Sequence, residues 1–96
     1  MMIHTDIITE INNVAITKDV IELFIPLKKV GQGFTAKCPF HKEYSESFTV
    51  SPKLNKFKCF GCGKSGNSIT FLMDHVGMTY PKALEFLADK YKIKIN

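Results

Sequence analysis

The chain has 96 residues, 45% apolar and 23% charged, a balance that excludes intrinsic disorder and sets the scale of a single domain, 1–96, whose core is small enough to need a metal or other staple. No apolar run approaches the ~20 residues that span a bilayer, and residues 1–13 lack the basic start and long apolar core of a secretory signal, so a cytoplasmic protein without a membrane partner is expected. The formal charge of +4 is uneven: residues 28–64 carry eight lysines against Glu43 and Glu46, a net of +6, whereas the rest carries five lysines against seven acids, a net of −2. Positive charge on one segment is the pattern of a polyanion-facing surface.

The first 26 residues read as a helical entry. Thr5 is placed to cap a helix carrying Ile7, Ile8 and Ile11, and Thr17 a second one with Val20, Leu23 and Phe24 on one face, ended by Pro26. Residues 27–66 read as a turn-rich ribbon. Gly31 and Gly33 bracket a turn into an extended segment at 34–37, and two more extended segments, 48–51 and 56–59, flank the turn residues Ser51, Pro52 and Asn55.

Residues 67–92 return to helical spacing. Asn67 or Ser68 caps a helix with Ile69, Leu72, Met73 and Val76 inward, and Gly77 stops it. Thr79 caps the next, with Pro81 in its first turn and Ala83, Leu84, Leu87, Ala88 and Tyr91 at core spacing. The end of the chain alternates lysine with isoleucine, as a strand or a frayed terminus does. The fold class expected is α+β: a small ribbon with an antiparallel sheet, flanked by N-terminal and C-terminal helices.

Cys38-Pro-Phe-His41 and Cys59-Phe-Gly-Cys62 are two pairs with two intervening residues each, 17 residues apart. A two-residue gap lets the backbone curl so that both side chains reach one ion at about 2.0–2.3 Å, and two such turns complete a tetrahedron. Cys38, His41, Cys59 and Cys62 are therefore the expected ligands of one structural zinc ion. Four protein ligands leave no coordination position for substrate. The competing reading is a redox Cys-x-x-Cys at Cys59 and Cys62, but such a pair opens a helix in a βαβ unit, and here it follows a lysine-rich strand. His4 and His75 have no partner at metal spacing and read as surface or packing residues. The acids are scattered, with no glycine-rich phosphate loop and no activated nucleophile, so no catalytic residue is expected.

The run from Leu27 through Cys38-Pro-Phe-His41, followed by Ser47-Phe-Thr-Val-Ser-Pro52, Phe57-Lys-Cys-Phe-Gly-Cys-Gly63 and Gly66-Asn-Ser-Ile-Thr-Phe-Leu-Met73, resembles the N-terminal zinc-binding domain of DnaG-type bacterial DNA primases. The resemblance covers about residues 14–95. It implies a Cys-His-Cys-Cys zinc ribbon that binds single-stranded template DNA and assists RNA primer initiation, with a separate primase polymerase domain and a replicative helicase as partners. It also implies a bacterial, phage or mobile-element origin, and either a fragment or a free-standing module to which the polymerase is supplied separately. Two departures matter: Glu46 stands where relatives usually have proline, and all 13 basic residues are lysines. Lysine meets phosphate as a point charge without the fork that reads guanine, so backbone binding is expected over base preference.

On this reading Lys37, Lys53, Lys56 and Lys58 meet phosphates, while Phe34, Phe48 and Phe57 are candidates for base stacking that compete with ordinary packing. Strand alternation puts Lys56 and Lys58 on one face and Phe57 on the other. The alternative is a protein-interaction adaptor whose helical flanks dock a replication polymerase or helicase.

Overall fold

The computed structural model describes residues 3–40 and 46–95. Helix α1, Thr5–Val14, places Ile11 in the core. Its cap is His4, whose Nδ1 accepts the Asp6 N–H at 3.1 Å; Thr5, expected as the cap, is the first helical residue. Helix α2, Thr17–Glu22, likewise begins at its expected cap. The Thr17 hydroxyl is instead buried and donates to the Asn55 carbonyl oxygen at 2.8 Å.

The inward face of α2 is set by Thr17, Val20 and Ile21. Leu23, expected inside, lies roughly 110° round the helix from the middle of that face and is 57% exposed. Phe24 is on the near side, and its ring meets Phe71 and Phe86 at about 6 Å.

The ribbon is a five-stranded antiparallel meander in chain order: β1 Lys28–Val30, β2 Gly33–Ala36, β3 Phe48–Ser51, β4 Lys56–Cys59 and β5 Ser65–Gly66. The two edge strands β1 and β5 go beyond the three extended segments expected; both are too short to carry an alternating apolar signal. Register sorts the side chains into two rows. Lys29, Phe34, Val50, Phe57 and Gly66 face inward side by side, whereas Lys28, Thr35, Thr49, Lys58 and Ser65 face outward.

Asn67 caps α3, Ser68–Phe71, by accepting the Ile69 and Thr70 N–H groups. The helix then widens into a π turn, Leu72–Val76, closed by Gly77 at φ 90°. A wider turn breaks 3.6-residue spacing. Met73, expected inward, is consequently partly exposed, and Phe71 and Leu72 are fully buried. Thr79 caps α4, Tyr80–Lys90, through the Lys82 N–H, with Ala83, Leu84, Leu87 and Ala88 buried as expected. Residues 91–95 form no strand; Tyr91, Ile93 and Ile95 pack back on the helices, and the Tyr91 hydroxyl accepts the Ile16 N–H at 2.9 Å.

Two cores result. One is helical, around Ile11, Val20, Leu72, Leu84 and Leu87. The other lies under the sheet and holds Ile21, Phe48, Val50, Phe57 and Phe71 together with Cys38 and Cys59. Neighbours in sequence divide between them: Val20 enters the first and Ile21 the second, as Leu72 and Phe71 do. The short helices α2 and α3 thus join the bundle to the ribbon.

Candidate metal centre and nucleic-acid interface

Cys38 follows β2, Cys59 closes β4, and Cys62 lies in the turn after it. Their Sγ atoms all lie within 4.8 Å of one another. Cys38 and Cys62 Sγ are 3.9 Å apart, close to the edge of about 3.8 Å that a tetrahedron with Zn–S of about 2.3 Å requires. The donor set therefore fits zinc. His41, the fourth ligand expected, lies outside the described residues.

Backbone geometry explains the convergence. The Cys59 N–H donates to the Lys64 carbonyl and the Gly63 N–H to the Cys59 carbonyl, at 2.8 and 2.7 Å, and Gly63 turns the chain at φ 81°. A Cβ is disfavoured in that left-handed conformation. On the other side the Phe40 N–H points at Cys38 Sγ at 3.4 Å, and the Phe40 ring stacks on Phe57 with centroids 5.7 Å apart. The first turn is thereby seated on the sheet core.

Burial, foremost, and the adjoining thiols push the Cys38 thiol up to about 12, against a lowering hydrogen bond from the Phe40 N–H. Burial also raises Cys59, but hydrogen bonds from Ser47, Cys38 and the backbone of Cys62 and Gly61 outweigh it and bring that thiol down to about 7. A dication among the three sulfurs favours the thiolate form of each. Cys62 is exposed whereas Cys38 and Cys59 are buried, and no helix starts at the Cys59 pair, unlike the redox arrangement.

The lysines divide by face. Lys56 and Lys58 project outward from β4 with Phe57 buried behind them, as alternation requires. Lys37 and Lys53 are exposed at the ends of β2 and β3. None of these four pairs with a carboxylate of the described residues, whereas Lys28 meets Glu46 at 3.9 Å and Lys64 meets Asp74 at 3.3 Å. The expected aromatics are not on the lysine face. Phe48 and Phe57 are 0% and 1% exposed, so neither ring is open to a base, because the small domain uses both to fill its core. Phe34 is half-buried on the inward row, with Lys18 Nζ 4.9 Å and Lys29 Nζ 5.8 Å from its ring centroid. The aromatic that does face outward is Phe60, which sequence reasoning passed over. Its signal was its place in the gap of the Cys59–Cys62 pair, where the backbone wraps inward and side chains point away.

A small antiparallel ribbon with three cysteines drawn to one point defines a zinc-ribbon protein. The family model for the CHC2 zinc finger, the DnaG zinc ribbon, matches residues 3–96, and the chain belongs to that family. Together with the cysteine cluster, membership makes the cofactor one structural zinc ion. The chain is 45% identical over 89 residues to a DNA primase of Neisseria meningitidis, covering 93% of this chain and 15% of the relative. It is 39% identical over 94 residues to a DNA primase of Listeria innocua, covering 98% and 15%. The crystal structure of Aquifex aeolicus primase, comprising zinc-binding and RNA polymerase domains, superposes with a TM-score of 0.88 at 38% identity over 94% of this chain and 22% of that one. The chain thus spans about 15% of the length of the curated relatives it matches. Among the described residues no helix is long and apolar enough to cross a membrane.

Proposed function

We propose that this chain is the template-binding module of a DNA primase. Single-stranded DNA lies across the outer face of the sheet, and the module assists RNA primer initiation by a separate primase polymerase domain in the bacterial cytoplasm. In this reading Cys38, His41, Cys59 and Cys62 ligate the zinc, which holds the ribbon in shape and touches no substrate. Such a closed site binds no water to activate.

The observation that carries the reading is the outward sheet face, where Lys56 and Lys58 project together and, with Lys37 and Lys53, lack carboxylate partners among the described residues. Unpaired ammonium groups on an open sheet are free to neutralise phosphates and release counterions, which makes binding weak, sequence-tolerant and strongly salt-dependent. Fluorescence anisotropy of the zinc-loaded chain with a labelled single strand tests it. Absence of binding at low salt would refute the proposal. Adding the chain to a primase polymerase domain deprived of its own zinc domain tests the second half, with stimulated primer synthesis as the expected result.

A second reading places a replication polymerase or helicase on the helical half, which is net acidic and exposes Leu23 and Tyr80. Polar substitution at Leu23 then weakens stimulation in the mixed assay and leaves DNA binding intact.

A further inference from the structure

The outward face contains a feature that lysines do not account for. Phe60 is 70% exposed, the most exposed of the large apolar side chains among the described residues. Solvent exposure of a whole phenyl ring is unfavourable by the hydrophobic effect, and here the backbone holds the ring in place. Its own N–H donates to the Ser47 carbonyl at 2.9 Å, and the tight turn of the metal centre follows directly. Lys58 Nζ sits 5.3 Å from the ring centroid. The ring borders a shallow trough of about 420 Å³ whose other lining residues include Gly33, Thr35, Thr49, Ser51 and Lys53. The outward side chains on this floor are short, with Lys58 beside Phe60 and Lys53 at the far end of the trough, in the β3–β4 turn. One floor residue carries an independent mark: Thr35 Oγ1 is buried yet has no hydrogen-bond partner among the described residues. An unpaired buried hydroxyl typically costs about 1–3 kcal/mol, so the floor of the trough holds a polar group that no described residue satisfies.

We infer that Phe60 is a stacking platform for one unpaired nucleobase, whose edge lies over the trough, while Lys58 takes the adjoining phosphate and Lys53 one further along the strand. The inference rests on the single-strand reading above and adds to it the subsite that distinguishes a base from bare backbone. A ring face accepts any base, so the subsite favours single strands over duplexes without selecting a base. A stacked duplex offers no base face to Phe60.

The test compares the zinc-loaded wild type, Phe60→Ala and Phe60→Leu with three probes: a labelled oligothymidylate, the same length of abasic strand, and a duplex. Zinc content and circular dichroism serve as controls that an exposed substitution leaves the fold intact. Phe60→Ala and Phe60→Leu are expected to weaken oligothymidylate binding about tenfold, with the salt slope and abasic affinity unchanged. The chain contains no tryptophan, so Phe60→Trp introduces a single tryptophan whose emission is quenched by oligothymidylate and not by the abasic strand. Wild-type binding that both substitutions leave untouched, or equal affinity of the wild type for oligothymidylate and abasic strands, overturns the stacking platform and leaves the lysine interface standing. A wild type that binds none of the probes at low salt overturns both.

Discussion

Thr17 and Asn55 are joined by two hydrogen bonds across 38 residues of chain, and Asn55 adds a third to Ala15. The Thr17 N–H donates to Asn55 Oδ1 and the Thr17 hydroxyl to the Asn55 carbonyl oxygen, each at 2.8 Å, and Asn55 Nδ2 donates to the carbonyl of Ala15 at 2.8 Å. Ser68 Oγ adds a bond to Thr17 Oγ1 at 3.2 Å. The unsatisfied N-terminal end of α2, the β3–β4 turn and the start of α3 thereby satisfy one another in a part-buried polar knot between the two cores. Asn55 also takes φ 55°, which asparagine tolerates better than most residues.

Asn55→Ala is accordingly expected to destabilise the fold by about 2–3 kcal/mol, since it strands buried groups of both Thr17 and Ala15. Asn55→Gly, which relieves the backbone but makes none of the side-chain bonds, recovers little. Urea denaturation of the zinc-loaded chain measures both; a cost for Asn55→Ala within about 0.5 kcal/mol, typical of a surface change, would show that the knot does not hold the halves together.

Cys38 and Cys59 belong to the sheet-side core itself, so removing zinc should open that core in preference to the helical one. With a chelator, amide exchange is expected to accelerate in β2 to β4 while α4 retains more protection. Serine at Cys38, Cys59 or Cys62, or alanine at His41, should reproduce the effect together with loss of bound metal. Sheet amides equally protected with and without chelator would mean that the ion is not structural.

Charge reversal at Lys56 and Lys58, both outward on β4, should nearly abolish single-strand binding and lower the salt slope by about 0.7 for each phosphate no longer neutralised. Thermal melting should change little, because exposed charges contribute little to stability. Titrations at several salt concentrations decide the matter: an unchanged slope would move the DNA-binding surface off β4.

Gly66 ends the inward row, and a Cβ there would lie 2.5 Å from Thr70 Cβ and 2.6 Å from Thr70 Cγ2. Gly66→Ala should therefore push α3 off the sheet and cost about 1–3 kcal/mol as overpacking. Pairing it with Thr70→Ala should restore only part of the loss, because the Cβ of residue 70 remains. A melting temperature for Gly66→Ala equal to wild type would show that α3 adjusts freely.

The sequence alone specified the α+β class, the bounds of β3 and β4, the cap at Thr79, a cap at Asn67 or Ser68, the stop at Gly77 and the pairing of Cys59 and Cys62 with Cys38. These are local matters: alternation, capping hydrogen bonds, a left-handed turn and ligand spacing act within a few residues. Only the tertiary structure decided what lay between elements. Thr17 reads as a cap in isolation, yet its hydroxyl is claimed by Asn55. Met73 has the spacing of a core residue, yet a π turn widens the helix before it can face inward. Phe48, Phe57 and Phe60 are the same residue type in one short ribbon, and register with the neighbouring strands buries the first two while the turn of the metal centre turns the third to solvent. A side chain's face depends on long-range pairing, and that pairing leaves little trace in the spacing of any one segment.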